Sequence, residues 1–330
     1  MTAAPAVREK QPAGLFLLFG VEMWERFSYY GMRALLVLYL VDSQHGGMGW
    51  SKVEAQKLYG WYTFLAYLLP VGGGYLADKL IGTHRSMLIG SVIIAAGHFC
   101  LALPGHSMFF LGLGLVILGT GFFKANVSTM VGQLYREDDP RRDGGFTIFY
   151  MGVNLGALIG PIVCAQLAKH MGWHWAFGAA GVGMLIGLAM YLTLKSRYLP
   201  GIGLPPARSE PREVAAVERP SALTEEERRH VLVLLVLYFF IIFFWTAFEQ
   251  AGSSMNLFAA ERTRLEIGPF SLHPAIFQSV NPAIILMFAP LFARMWDRLG
   301  RSGRDPSTPA KMAAALALAV LTPKLKRLMA

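Results

Sequence analysis

The stretch VEMWERFSYYGMRALLVLYL, residues 21–40, decides how this chain is read. It lies inside a long apolar run, yet it carries Glu22, Glu25, Arg26 and Arg33. On a helix, Glu22, Arg26, Tyr29, Tyr30 and Arg33 follow steps of three and four and share one broad face, with Glu25 at its edge. The surrounding chain sets the environment of that face. Of 330 residues, 54% are hydrophobic and 15% charged, against about 25% charged in an ordinary soluble domain. The mean hydropathy is +0.44. Lipid offers the backbone no hydrogen-bond partner, so a spanning segment is a helix or a strand of a closed barrel. The apolar runs are too long and too uniform for alternating barrel strands. The fold class expected is an all-α, multi-pass membrane protein.

Spanning helices are predicted at about 14–41, 57–78, 86–104, 107–134, 146–169, 174–195, 231–260 and 273–297, with a further apolar run from about 308. Residues 1–195 then form a six-helix bundle. Residues 196–230, rich in proline and charge, form a linker that cannot cross a bilayer. Residues 231–330 begin a second bundle with helices 7, 8 and part of 9. Within the linker, Ser221–Glu227 predicts a short surface helix with Thr224 as its N-cap. Lys and Arg concentrate in the segments that share a side with the N-terminus, from Arg8 and Lys10 through Arg136, Arg141 and Arg142 to Arg294 and Arg298. That bias puts the N-terminus in the cytoplasm and the chain in the cell (inner) membrane. It also accounts for the net charge of +9 without a nucleic-acid partner.

Other chemistries find little support. Cys100 and Cys164 sit in apolar segments and read as packing residues. His170 and His174 are four apart but have no acidic companion, so no metal site is expected. The glycines of GLGLVILGTGFF, residues 112–123, lack the Lys-Ser/Thr ending of a phosphate loop, and no nucleophile elbow is present. No enzyme and no cofactor are expected.

Charges inside a spanning helix are costly and face a bundle interior or an aqueous cavity. The face from Glu22 to Arg33 suits a cavity for a dipolar ligand: Arg grips a carboxylate with two parallel bonds, and Glu pairs with a base or takes a proton. The alternative is a salt-bridge set that only fixes packing. Lys124, in the fourth helix, needs a carboxylate partner, and Glu22 and Glu25 are the candidates. Asn154 lies among small residues of the fifth helix, either as a site or as an interhelical hydrogen bond. Trp245 and Glu249 are one turn apart, and Glu249 is either a proton site or a helix-end acid facing water. Asn281 with Pro282 marks a break in the eighth helix. Tyr67 is either a ligand contact or a packing aromatic.

Two resemblances follow from these residues. GYLADKLIGTHR, residues 74–85, resembles the signature loop of the major facilitator superfamily between helices two and three. The resemblance implies a gating role for Asp78 and Arg85. ARMWDRLGRSGR, residues 293–304, echoes that loop and suggests two parallel repeats. Glu22 to Gly31, with the pattern E-x-x-E-R-F-x-Y-Y-G, resembles the first-helix signature of the proton-dependent oligopeptide transporter family. FYMGVNLGALIGP, residues 149–161, resembles that family's second signature.

The family resemblance implies proton-coupled symport of di- and tripeptides by alternating access, with protons as the coupling ion and the lipid bilayer as environment. Glu22, Glu25, Arg26, Lys124 and Glu249 would serve the proton. Arg33, Tyr30, Tyr67, Asn154, Trp245 and Asn281 would contact the peptide. Such carriers have two six-helix bundles, so this chain, with about eight to nine helices, reads as C-terminally truncated. Residues 311–330 are either the start of a ninth helix or sequence read out of frame. The alternatives are a non-transporting remnant of such a carrier and a major facilitator carrier for another substrate, such as nitrate.

Overall fold

A computed structural model describes residues 10–204, 223–307 and 309–318. The described residues form ten α-helices: α1 Ala13–Val41, α2 Lys52–Leu76, α3 Thr83–Ala102, α4 His106–Gln133, α5 Arg142–Met171, α6 Trp173–Tyr198, α7 Glu225–Glu249, α8 Ser254–Arg262, α9 Val280–Arg301 and α10 Pro309–Leu318. A minimal antiparallel pair, β1 Glu266–Ile267 with β2 Phe270–Ser271, lies between α8 and α9. Six of the described helices are long and apolar enough to cross a membrane: α3, α4, α5, α6, and the helical stretches Glu225–Gly252 and Pro274–Gly300. The helix α1 is also long enough but carries its four charges, and α2 is diluted by glycines and tyrosines.

Two compact units result. One comprises α1–α6 together with Gly252–Leu286; the other holds α7 and the described residues from Met287 to Leu318. In the first unit α1 is the hub, packed mainly against α5 and α6. Its closeness to α5 depends on glycine. A Cβ at Gly156 would collide with the Met23 carbonyl, and one at Gly160 with the Phe27 carbonyl. Cys164, fully buried, rests against Gly31 along the same seam. Small residues let helix backbones approach when apolar burial gives no net drive, as in lipid. The connection from α5 to α6 is a single residue, Gly172, whose φ of 97° favours glycine.

The two ends of this unit are held differently. At the N-terminal end, Gln11 donates to the Arg141 carbonyl at 3.2 Å, and Tyr135 donates to Gln11 Oε1 at 2.7 Å. At the opposite end, residues 252–286 pack against the unit from the helix termini down to mid-helix positions on α1 and α5. Asn256 Nδ2 donates to the Ala34 carbonyl at 2.8 Å, and Ser279 Oγ to the Leu158 carbonyl at 2.8 Å. Lys52 and Glu261 pair at 2.7 Å, and Lys169 donates to the Ser271 carbonyl. Asp42, just past α1, accepts from Trp173 Nε1 at 2.8 Å. Burial works against its charge, but hydrogen bonds from Trp173, Gln44 and His45 hold it below the usual carboxylate range.

Three sequence expectations change. The predicted helix 231–260 is two helices: α7 stops at Glu249, a 3₁₀ turn covers Gln250–Gly252, and α8 starts at Ser254. Gly252, Ser253 and Ser254 explain the interruption, since glycine loses most entropy in a helix and serine competes for backbone bonds. The break near Asn281 falls earlier. A 3₁₀ segment Pro274–Ser279 gives way to α9 at Val280, so Pro282 sits in the first turn, where its missing N–H costs nothing. Thr224 does cap a helix, with Glu227 completing a reciprocal capping box, but that helix is α7 itself. Linker residues 205–222 and chain residues 319–330 lie outside the described residues, as do the side chains of Asp297 and Arg301 from the proposed repeat.

The α1–α5 seam yields a paired prediction. Gly156→Val should lower the unfolding midpoint in detergent, at a cost of about 1–3 kcal/mol from overpacking. Gly60→Ala, where a Cβ meets nothing within 4 Å, should leave it unchanged or raised. Scanning fluorimetry reads both; an unchanged midpoint for Gly156→Val would contradict the seam.

Candidate functional site

The charged face of α1 is buried inside the first unit. Glu22 is 2% exposed, Glu25 1%, Arg26 7% and Arg33 3%. Charges withdrawn from water this far need partners, because each desolvated ion costs several kcal/mol. Arg26 supplies them along its own helix. Its Nε donates to Glu22 Oε1 at 2.7 Å and stands 3.0 Å from Glu25 Oε2. The second contact is ionic without hydrogen-bond alignment: Glu22 Oε2 and both Glu25 oxygens have no hydrogen-bond partner among the described residues. One guanidinium therefore serves two carboxylates. Lys124 of α4 is the next cation within electrostatic reach of Glu25. Its ammonium also sits over the Tyr67 ring of α2, 3.8 Å from the centroid.

Two turns further along α1, Arg33 is held by aromatics. Its Nε donates to Tyr59 Oη at 2.7 Å, and its guanidinium lies 5.7 Å from both the Tyr30 and the Tyr59 ring centroids. Tyr29 lies edge-on to Tyr30 at 5.2 Å and stacks on Tyr62 at 6.3 Å. The three helices α1, α2 and α4 thus bring Glu22, Glu25, Arg26, Arg33, Tyr30, Tyr67 and Lys124 into one connected set.

The remaining candidates are placed elsewhere. Asn154 on α5 is buried, but it donates to the Tyr150 carbonyl of its own helix at 2.9 Å rather than across to a neighbour. Asp78 and Arg85 flank Gly82, Asp78 in the π-helical turn Ala77–Ile81 that ends α2. Both are exposed, and neither makes an ion pair among the described residues. Asn281 is exposed in the first turn of α9. Trp245 and Glu249 belong to α7 in the second unit, one turn apart, with Trp245 packed edge-on to Phe248 at 5.3 Å.

Two features escaped the sequence reading. Tyr59 and Tyr62, the tyrosines that meet Arg33 and Tyr29, are three apart on the buried face of α2 with Ala55 and Ala66. That spacing was available as a signal. The other is His98 of α3, fully buried, 2.6 Å from Ser28 Oγ on α1. A lone histidine in an apolar helix carries no mark of its partner. Among the described residues there is no group of three or more His, Cys, Asp or Glu that could hold a metal.

The arrangement sets two buried carboxylates against one guanidinium, so that protonating either glutamate would remove a negative charge from beside Arg26. Comparison with known proteins places this site in context. The model of the POT family matches residues 84–200 and 211–322. The chain is 38% identical to the uncharacterized transporter YclF of Bacillus subtilis, over 94% of this chain and 72% of that protein. It is 33% identical to a di-/tripeptide transporter of Lactococcus lactis subsp. cremoris, over 93% of this chain and 73% of that one. Among solved structures, a mutant of the peptide transporter POT in complex with alafosfalin superposes with a TM-score of 0.82 at 36% identity, covering 92% of this chain and 71% of that one. The chain belongs to the POT family, with the all-helical membrane fold of those major facilitator transporters. It is a member of a membrane transporter family and not an enzyme.

The ion-pair geometry predicts strong coupling. Arg26→Met should destabilise the protein by about 3–5 kcal/mol by leaving buried carboxylates unpaired. Adding Glu25→Gln should return a substantial part of that loss. Equilibrium unfolding of the two single variants and the double variant gives the coupling; strictly additive losses would show that Arg26 does not serve Glu25.

Proposed function

We propose that this chain is a proton-coupled symporter of di- and tripeptides working by alternating access in the cell (inner) membrane, with a cytoplasmic N-terminus. The observation that carries the proposal is the buried Glu22–Arg26–Glu25 cluster, in which one guanidinium serves two carboxylates. A structure selected only for stability does better with apolar packing than with buried ion pairs. The relatives support the substrate class: one is named a di-/tripeptide transporter, and another was crystallised with alafosfalin.

In this reading Glu22, Glu25, Arg26 and Lys124 carry the proton response, with Glu249 as a second proton site. Tyr30, Arg33, Tyr67 and Asn154 form one wall of the peptide site, and Trp245 and Asn281 are further peptide contacts in this reading. The cations suit the peptide carboxylate. Asp78 and Arg85 act at the cytoplasmic gate. A proton changes the relative stability of two bundle arrangements by weakening an ion pair present in one of them. The membrane potential adds about 2.3 kcal/mol per charge per 100 mV to the inward step.

Uptake of a labelled dipeptide into proteoliposomes under an inward proton gradient tests the reading. The wild-type chain should concentrate the peptide, and an uncoupler should abolish the accumulation. Glu22→Gln should lose gradient-driven uptake and keep peptide counterflow. No uptake by the wild-type chain would overturn symport, and loss of both activities in Glu22→Gln would make that residue structural.

A further inference from the structure

On the face of α1 turned away from the charged cluster, a groove of about 680 Å³ opens between α3, α5 and α6. Its floor is Trp24 and Phe27 of α1. Small residues make it: Ala102 of α3 and Gly178 and Ala179 of α6 leave the gap through which the floor is reached. The large side chains along its rim, Phe99, Val163, Val182 and Ile186, are exposed. They belong to α3, α5 and α6, which are spans long and apolar enough to cross a membrane, so this flank is turned to the hydrocarbon.

Its dimensions select the occupant. Along α6 the lining runs from His174 and Trp175 to Ile186, and at about 1.5 Å per residue Trp175 to Ile186 spans roughly 16 Å. That is about half of a hydrocarbon core roughly 30 Å thick, so the groove begins at one interface and ends near the bilayer centre. A groove of half-bilayer length, lined by apolar side chains and open to the hydrocarbon, matches an extended acyl chain lying along α6. The interfacial end carries the matching chemistry. Trp175, 63% exposed, has the position of an interfacial aromatic. His174 lines the groove, and its Nδ1 is buried with no hydrogen-bond partner among the described residues. His170 and Lys169, the latter also donating to the Ser271 carbonyl, lie in the last turn of α5 at the same end. Asp42, a carboxylate at this end, accepts from Trp173 Nε1.

We propose that this groove binds one acyl chain of a phospholipid from the leaflet on the α5–α6 side, with the phosphate held at His174 and the basic residues beside it. The bound chain braces α1 from behind, against the helix whose opposite face carries the proton cluster.

The test uses the full chain. A Cβ at Gly178 meets only Ala102 Cβ, at 3.6 Å, so Gly178→Leu fills the groove without a backbone clash. In native mass spectrometry the wild-type protein should keep one phospholipid after delipidation, and Gly178→Leu should lose it while remaining monodisperse and helical. In vesicles of phosphatidylcholine brominated toward the chain ends, a variant with Trp24 as its sole tryptophan should be quenched, and adding Gly178→Leu should return its emission to the unbrominated level. If Gly178→Leu fails to fold, Ala179→Leu serves in its place. No retained lipid in the wild type, or unquenched Trp24, would overturn the proposal. So would lipid and quenching unchanged in the filled variant.

Discussion

Everything in the first unit turns on the cost of keeping Glu22, Glu25, Arg26 and Arg33 out of water on a single helix. None of these residues is more than 7% exposed. A helix carrying them cannot stand in lipid alone, and burying it in protein requires that each charge meet another charge, a hydroxyl or a ring. Arg26 answers for both glutamates, while Tyr59 and Tyr30 answer for Arg33. These needs put α1 at the centre and bring α2 and α4 to its charged face.

The opposite side of α1 shows the complementary rule. Where no polar group asks for a partner, contact is set by how closely backbones approach, and glycines on α5 permit it at Gly156 and Gly160. Where the outer helices also carry small residues but do not close, a groove remains behind Trp24 and Phe27. The same helix therefore has an electrostatic face and a steric face, and motion of α1 alters both together. Residues 252–286 add a third constraint, because they are tied to α1 at Ala34 and to α5 at Leu158.

Much of this was legible in the residues. The helical spacing of Glu22, Arg26 and Arg33 identified the buried face, because periodicity is a local property. Charge alone pointed from Lys124 toward the α1 carboxylates; the contact seen for its ammonium is the Tyr67 ring, with Glu25 within electrostatic reach. The break between α7 and α8 was missed because a run of apolar residues outweighed Gly252, Ser253 and Ser254; the hydrogen bond from Asn256 to Ala34 fixes α8 from outside its own sequence. The spacing of Ala55, Tyr59, Tyr62 and Ala66 marks the buried face of α2, but that Tyr59 meets Arg33 and His98 meets Ser28 depends on partners 26 and 70 residues away, which leave no local pattern.

The central claim is that the α1 cluster binds a proton. Infrared difference spectroscopy of the reconstituted protein, between acidic and neutral pH, tests it most directly. The account predicts a carboxylic-acid C=O band that appears on acidification, is absent in the double variant Glu22→Gln/Glu25→Gln, and changes when a dipeptide is added. A spectrum in which that double variant retains every carboxyl band of the wild type would contradict it.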